Sequence, residues 1–167
     1  MKHIELFRTK YKKPTRMFAL VSDEDYEQIN KHTWHVRKKR HVYYALRYTK
    51  DRNGKIKKIW MHRQIIGTPI CLEMDHINGN GLDNQRENLR VATTMQNSRN
   101  RHNSKRKSKT GYAGVESKGR GYKAYIHFNY KKYFLGYYYS PKTAFDAHVK
   151  ASIELFGEFS PYFKRVA

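Results

Sequence analysis

Residues 74–84 of the chain read MDHINGNGLDN, and this stretch decides the fold prediction. Asp75 and His76 end an apolar segment, and glycines and asparagines, which favour positive φ and tight turns, follow them. Because neighbouring side chains on a strand point to opposite faces, Asp75 and His76 are expected to play different parts. Asn88 lies 12 residues after His76, and Asn97 lies 9 residues after Asn88.

This pattern resembles the HNH nucleases, especially the phage and intron-encoded homing type, over residues 61–100. The resemblance implies a ββα-metal fold, in which a two-stranded ribbon and a helix hold one divalent cation. It also implies that Asp75 and Asn97 ligate the metal and that His76 is the general base. Asn88 would hold the loop so that the His76 ring is aimed.

Elementary chemistry agrees with these roles. An imidazole with an ordinary pKa of about 6.5 can take a proton from water near neutral pH. One carboxylate and one amide oxygen suit Mg²⁺ or Mn²⁺, with one ion per site. A calcium loop of the EF-hand type is excluded because Ile77 and Arg86 stand at its third and twelfth positions. Cys71 is the single cysteine, so neither a cysteine-based zinc site nor an intramolecular disulfide is expected.

Charge is distributed unevenly along the 167 residues, which carry 35 Lys and Arg against 14 Asp and Glu, a formal charge of +21. This excess favours a polyanionic partner. The net charge is +11 over residues 1–60 (17 basic, 6 acidic) but −1 over residues 61–98 (3 basic, 4 acidic). It returns to +6 over residues 99–110 and +5 over residues 111–167. A bound cation would explain the one non-basic stretch, and chance variation over 38 residues is the alternative on charge alone.

The chain is predicted to have four parts. Residues 1–60 form a β-rich N-terminal part of the catalytic domain, residues 61–98 the nuclease core, residues 99–110 a basic linker and residues 111–167 a DNA-binding domain. The linker has no hydrophobic residue and cannot contribute to a core. Its cations are predicted to lie along the DNA backbone: Arg99, Arg101, Lys105, Arg106, Lys107 and Lys109. Arg90 is a further candidate phosphate contact.

Local signals predict the elements of the N-terminal half. A strand over 17–21 precedes Ser22, which is placed to cap a helix that runs to about Asn30. The Asn53-Gly54 pair predicts a hairpin between alternating strands. A short helix over 61–66 should end at Gly67.

The C-terminal segment has its own pattern. Alternation over 121–128, with strands predicted on either side over 112–116 and 131–138, is followed by a helix that begins after Ser140 and ends at Gly157. The segments GYAGV (111–115), YKAYI (122–126), LG (135–136) and FGEF (156–159) resemble the Apetala/ethylene-responsive-factor DNA-binding domain. The resemblance implies three antiparallel strands laid in a major groove and backed by one helix. The predicted DNA contacts are Lys118, Arg120, Lys123, Tyr125, His127 and Lys132.

The predicted fold class is α+β: a ββα-metal nuclease domain with a β-rich N-terminal extension, followed by a small three-stranded antiparallel sheet packed on one helix. The predicted function is a metal-dependent, site-specific DNA endonuclease of the homing type. It would nick double-stranded DNA as a monomer, with a dimer as one route to a double-strand break. A non-catalytic DNA-binding regulator with an HNH-like fold and an RNA-binding protein of ribosomal type stay open as alternatives.

Neither membrane insertion nor secretion is expected from the sequence. No apolar run approaches the roughly 18–20 residues of a transmembrane helix, and no signal peptide opens the chain. The prediction is a cytoplasmic protein, in the host cytoplasm if a phage encodes it.

Overall fold

A computed structural model describes most of the chain as two compact units, residues 1–97 and 98–167. The described residues are 1–8, 14–67, 71–99 and 108–163. Of these residues, 44% lie in strands and 29% in helices. Among them, no helix has the length and apolar character needed to cross a membrane.

The first unit is built around a six-stranded sheet. In chain order the strands of this unit are β1 (Lys2–Phe7), β2 (Pro14–Val21), β3 (Trp34–Lys39), β4 (Val42–Lys50), β5 (Ile56–Trp60), β6 (Glu73–His76), β7 (Asp83–Asn84) and β8 (Leu89–Ala92). The sheet has the order β5-β4-β3-β1-β2-β7, and β6 and β8 form a separate two-stranded ribbon. β1 runs antiparallel to β2 and parallel to β3, and β7 runs parallel to β2.

Short helices connect these strands where the sequence predicts them. The helix α1 (Asp23–Asn30) follows Ser22, and α2 (Met61–Ile66) ends at Gly67, whose φ of 67° is the left-handed conformation that glycine adopts readily. The Asn53-Gly54 turn joins β4 to β5, as predicted, with a φ of 75° at Gly54. A third helix, α3 (Thr94–Arg99), follows β8.

One hydrophobic core serves the whole first unit. It includes Leu6, Val21 and Trp34 from the sheet together with Met74 and Leu89 from the ribbon. The three sheet residues have no measurable exposure, and Met74 and Leu89 are under one-tenth exposed. The ribbon and the sheet therefore stabilise one another.

The predicted fold class is wrong. Residues 61–98 do not form a ββα-metal domain to which a β-rich extension is attached, because β7 is the edge strand of the six-stranded sheet. Its Asp83 and Asn84 pair with Leu20 and Val21 of β2. The physical reason is size: a segment of about 40 residues has too little apolar surface to bury a core of its own. Residues 1–60 supply most of the core that the ribbon needs.

The second unit contains three strands and one long helix. They are β9 (Val115–Lys118), β10 (Gly121–Phe128), β11 (Lys131–Tyr138) and α4 (Pro141–Phe156). The strands are antiparallel in the order β11-β10-β9, and the first begins at Val115, three residues later than predicted. The Ser140 hydroxyl caps α4 by accepting a hydrogen bond from the Thr143 backbone N–H at 3.2 Å. Val115, Ala124 and Ala144 form its core.

Candidate active site

The β6–β8 ribbon separates the two central candidate residues. Asp75 pairs with Arg90 and His76 with Leu89 across the antiparallel ladder. Side chains alternate along a strand, so Asp75 lies on one face of the ribbon and His76 on the other, as the sequence predicts. Both are buried, at 4% and 6% exposure.

The Asp75 face is a network of charged and amide groups. The Arg90 guanidinium donates to Asp75 Oδ2 from Nη2 at 2.6 Å and from Nε at 2.9 Å. Two residues before Asp75 and on the same face, the Glu73 carboxylate accepts a hydrogen bond from the Asn97 amide. Two carboxylates and an amide therefore lie on this face, together with the Arg90 guanidinium.

The His76 face is aromatic. The His76 ring meets His62 edge to face with centroids 5.1 Å apart, and Tyr44 at 5.8 Å. Burial lowers the pKa of His76 below its ordinary value, while the Asn84 side chain and the carboxylates of Asp75 and Asp83 act in the opposite direction. The net lowering makes the neutral imidazole the prevailing form at pH 7, which is the form a general base needs.

His62 is the closest aromatic neighbour of His76 among the contacts described. Its ring stacks on Trp60, with centroids 6.1 Å apart and planes 9° from parallel. Burial, helped by the adjacent His76, lowers the pKa of His62 to about 3. The sequence suggests a structural role for His62, and nothing in its spacing indicates that it would contact His76.

Asn88 holds the loop that follows His76. Its side-chain oxygen accepts from the Asn78 backbone N–H at 3.0 Å, and its amide donates to Asn78 Oδ1 at 3.1 Å and to the Asp83 carbonyl at 2.8 Å. Within the same loop, Gly81 packs so closely on Tyr44 that an added Cβ would lie 2.7 Å from the ring. These contacts fix the loop that follows His76 and pack it against Tyr44, whose ring contacts His76.

The donor chemistry of the Asp75 face fits a hard divalent cation. Carboxylate and amide oxygens are the ligands that Mg²⁺ prefers, and Glu73, Asp75 and Asn97 supply them. Among the described residues, no group of three or more His, Cys, Asp or Glu side chains is arranged to hold a metal. The Asp75 carboxylate is already paired with Arg90, so a metal must compete with that guanidinium.

Strand alternation would have revealed Glu73, because residues two apart on a strand share a face. Tyr44 and His62, by contrast, come from β4 and α2, and no local pattern connects either of them to His76. Their role in the site depends on the tertiary fold.

The candidate DNA contacts fall in several environments. Arg90 forms an ion pair with Asp75. The Arg99 guanidinium lies over the Phe128 and Phe156 rings of the second unit, at 5.4 and 4.8 Å. Arg101, Lys105, Arg106 and Lys107 lie outside the described residues. On the second unit the candidates Lys109, Lys118, Arg120, His127 and Lys132 are exposed, and Lys123 and Tyr125 are half-buried.

No protein-family model, no curated protein and no solved structure matches the chain.

Proposed function

We propose that the chain is a divalent-metal-dependent endonuclease that hydrolyses phosphodiester bonds in double-stranded DNA. The observation that carries the proposal is the adjacency of an imidazole and a carboxylate at the end of one strand. His76 and Asp75 are both buried, and the Asp75 charge acts on the His76 ring. Phosphodiester hydrolysis needs both a proton acceptor and a centre that binds the reacting phosphate.

His76 is the general base in this proposal. Its neutral ring accepts a proton from a water molecule, whose oxygen attacks the phosphorus. The bond from phosphorus to the 3′-oxygen breaks and that oxygen takes a proton from solvent water, which leaves a 5′-phosphate and a 3′-hydroxyl. The His76 imidazolium then returns its proton to solvent. General-base assistance of this kind typically accelerates a reaction by about 10²–10⁴-fold. Asn88 supports the step by fixing the loop that follows His76.

Asp75 and Asn97 would hold the cation, and Glu73 is added to them from the structure because it contacts Asn97. A bound Mg²⁺ or Mn²⁺ would supply charge stabilisation to the phosphate and the departing oxygen. When Arg90 is released from Asp75, its guanidinium becomes available to contact the phosphate, which reconciles its present pairing with its predicted role.

The charge distribution supports DNA as the substrate. Residues 1–60 carry +11 and residues 98–167, the second unit, add +11 (15 basic, 4 acidic), against −1 for residues 61–97. When basic side chains neutralise DNA phosphates, the counterions of those phosphates are released, so binding weakens steeply as salt is added. The slope of log K against log salt concentration is about −0.9 for each phosphate neutralised. A flat salt response would contradict this part of the proposal.

The decisive experiment is plasmid nicking. Purified protein with Mg²⁺ or Mn²⁺ should convert supercoiled plasmid into open circles, and a chelator should stop the reaction. His76→Ala should lower the rate by about 10²-fold or more, whereas His41→Ala, which changes an exposed histidine, should not. The proposal fails if neither metal supports nicking, or if His76→Ala cuts as fast as the parent.

Site specificity of the homing type is the finer part of the proposal. It predicts one preferred nick in the DNA that flanks the gene, in an allele that lacks the gene. Primer extension maps the cut ends, and a single position is the expected result. A random distribution of cut ends would exclude the homing type.

A non-catalytic DNA-binding regulator is the second candidate, and the closed Asp75–Arg90 pair favours it. A carboxylate held by a guanidinium at 2.6 Å is poorly placed to take a metal. In this case the protein binds duplex DNA with the same affinity in Mg²⁺ and in chelator, and it never nicks the plasmid.

A further inference from the structure

The sheet of the second unit has an outward face that is rich in aromatic rings. Six side chains line a cleft of about 340 Å³ on this face: Glu116, Lys123, Tyr125, Lys132, Phe134 and Tyr137. The opposite face supplies Val115 and Ala124 to the core shared with α4. The lining residues are therefore the ones that the core does not use.

A β-bulge brings two of these rings to the same face. Tyr125 pairs with Phe134 while Ala124 pairs with Gly136, so one residue of β11 is extra. In an unbroken strand Phe134 and Tyr137, three residues apart, would point to opposite faces. Gly136 makes the irregularity possible, because its φ of 135° is a conformation that other residues rarely adopt.

The two rings are exposed and adjacent. Phe134 is 58% exposed and Tyr137 64%, and their centroids lie 5.1 Å apart with planes at 65°. Neighbouring aromatic side chains that stay in water typically mark a binding surface. Flat π-faces on a sheet are suited to stacking with flat ligands such as nucleobases.

The charges around the cleft indicate which part of a nucleotide enters it. Lys132 Nζ lies 3.9 Å from the centroid of the Tyr125 ring and 2.9 Å from Glu116 Oε1, and Lys123 Nζ lies 5.3 Å from the centroid of Tyr137. The Lys132 hydrogen bond lowers the pKa of Glu116, which keeps it negative at neutral pH. Glu116 holds Lys132 in an ion pair and repels phosphate there, so Lys123 suits the backbone and the rings suit the bases.

We propose that this cleft binds an unpaired stretch of a DNA strand, with bases stacked on Phe134 and Tyr137 and phosphates at Lys123. The inference rests on the proposed function only in taking DNA as the partner. Bases within a duplex are covered on both faces by their neighbours, and the groove offers only their edges. Rings that stack therefore select strands whose bases are unpaired.

Fluorescence anisotropy with labelled oligonucleotides tests the proposal. The full chain carries His76→Ala and the buffer contains chelator, so that cutting does not enter the measurement. Phe134→Ala and Tyr137→Ala should each weaken binding of a single strand of about 20 nucleotides roughly tenfold, and binding of the matching duplex much less. Tyr139→Ala removes a fully exposed ring that does not line the cleft, and it should leave both affinities unchanged.

Phe134→Leu distinguishes stacking from simple apolar contact, because it keeps an apolar side chain but removes the π-face. It should weaken single-strand binding nearly as much as Phe134→Ala, with an unchanged thermal midpoint. Equal losses on single strand and duplex, or no loss on either, would overturn the proposal. Tighter binding to RNA of the same sequence would overturn the choice of DNA. Because cutting is disabled in these measurements, their outcome is independent of the plasmid assay.

Discussion

His62 and His76 meet edge to face, with ring centroids 5.1 Å apart and planes at 86°. Each is less than one-tenth exposed, and they come from α2 and from the end of β6. Burial lowers the pKa of both imidazoles, and the adjacent His76 lowers that of His62 further. His62 is thus a neutral, packed support for His76, which we propose as the base.

The His62 pKa leads to a prediction about acid stability. Burial lowers that pKa to about 3 from an ordinary 6.5, so the unfolded chain binds more protons than the folded one between these pH values. The contribution of neutral His62 to the free energy of unfolding is fully present above pH 6.5. It falls as the pH drops towards 3, by up to about 1.4 kcal/mol per pH unit. His62→Phe, which cannot take a proton, should lose less stability between pH 7 and pH 4.5 in urea denaturation.

The control for this prediction is His41→Phe, because His41 is exposed. Its acid sensitivity should match that of the parent, since carboxylate protonation affects all three proteins alike. Identical losses in His62→Phe and the parent would show that His62 titrates normally.

The Asp75–Arg90 pair yields the second prediction. The two side chains are 5% and 10% exposed, so Arg90→Ala leaves a carboxylate buried without its ion-pair partner. Such a loss typically costs about 3–5 kcal/mol of unfolding free energy. Arg90→Ala should therefore lower the thermal midpoint. Mg²⁺ should raise the midpoint of the variant by more than it raises that of the parent, because the guanidinium no longer competes for Asp75.

The matched control is the double variant Asp75→Leu with Arg90→Met, which removes both charges. It should cost less stability than Arg90→Ala and gain nothing from Mg²⁺. If Mg²⁺ stabilises the double variant and Arg90→Ala equally, the cation does not bind at Asp75.

Local sequence signals succeed where one short segment determines the structure. The Asn53-Gly54 turn, the end of α2 at Gly67 and the start of α4 at Pro141 are confirmed because each depends on backbone preferences of a few residues. Likewise, alternation alone separates Asp75 from His76.

The sequence signals fail where distant segments combine. The parallel pairing of β7 with β2 joins residues more than 60 positions apart, and a two-residue strand carries no periodicity of its own. Nothing local shows that Met74 and Leu89 complete the core of the N-terminal sheet. The predicted fold class makes residues 1–60 an extension of a ββα-metal core, whereas the two segments share one hydrophobic core.

Asn88 gives the third prediction. Asn88→Ala removes two hydrogen bonds to the exposed Asn78 and leaves the carbonyl of the buried Asp83 unsatisfied, which should cost about 1–3 kcal/mol. Asn88→Asp keeps the acceptor for the Asn78 N–H but buries a carboxylate oxygen against two acceptors, Asn78 Oδ1 and the Asp83 carbonyl, so its loss should be larger. Urea denaturation ranks the two variants, and the reverse order would contradict the role assigned to the loop contacts.

Gly81 gives the fourth prediction and tests whether Tyr44 positions the His76 ring. An added Cβ would lie 2.5 Å from the Tyr43 carbonyl oxygen and 2.7 Å from the Tyr44 ring, so Tyr44, which packs on His76, must move. Gly81→Ala should cost about 1–3 kcal/mol through overpacking and slow plasmid nicking with little effect on DNA affinity. Gly54→Ala meets no atom within 4 Å and should cost only about 1 kcal/mol through its positive φ. Equal nicking rates in these two variants would show that Tyr44 does not position His76.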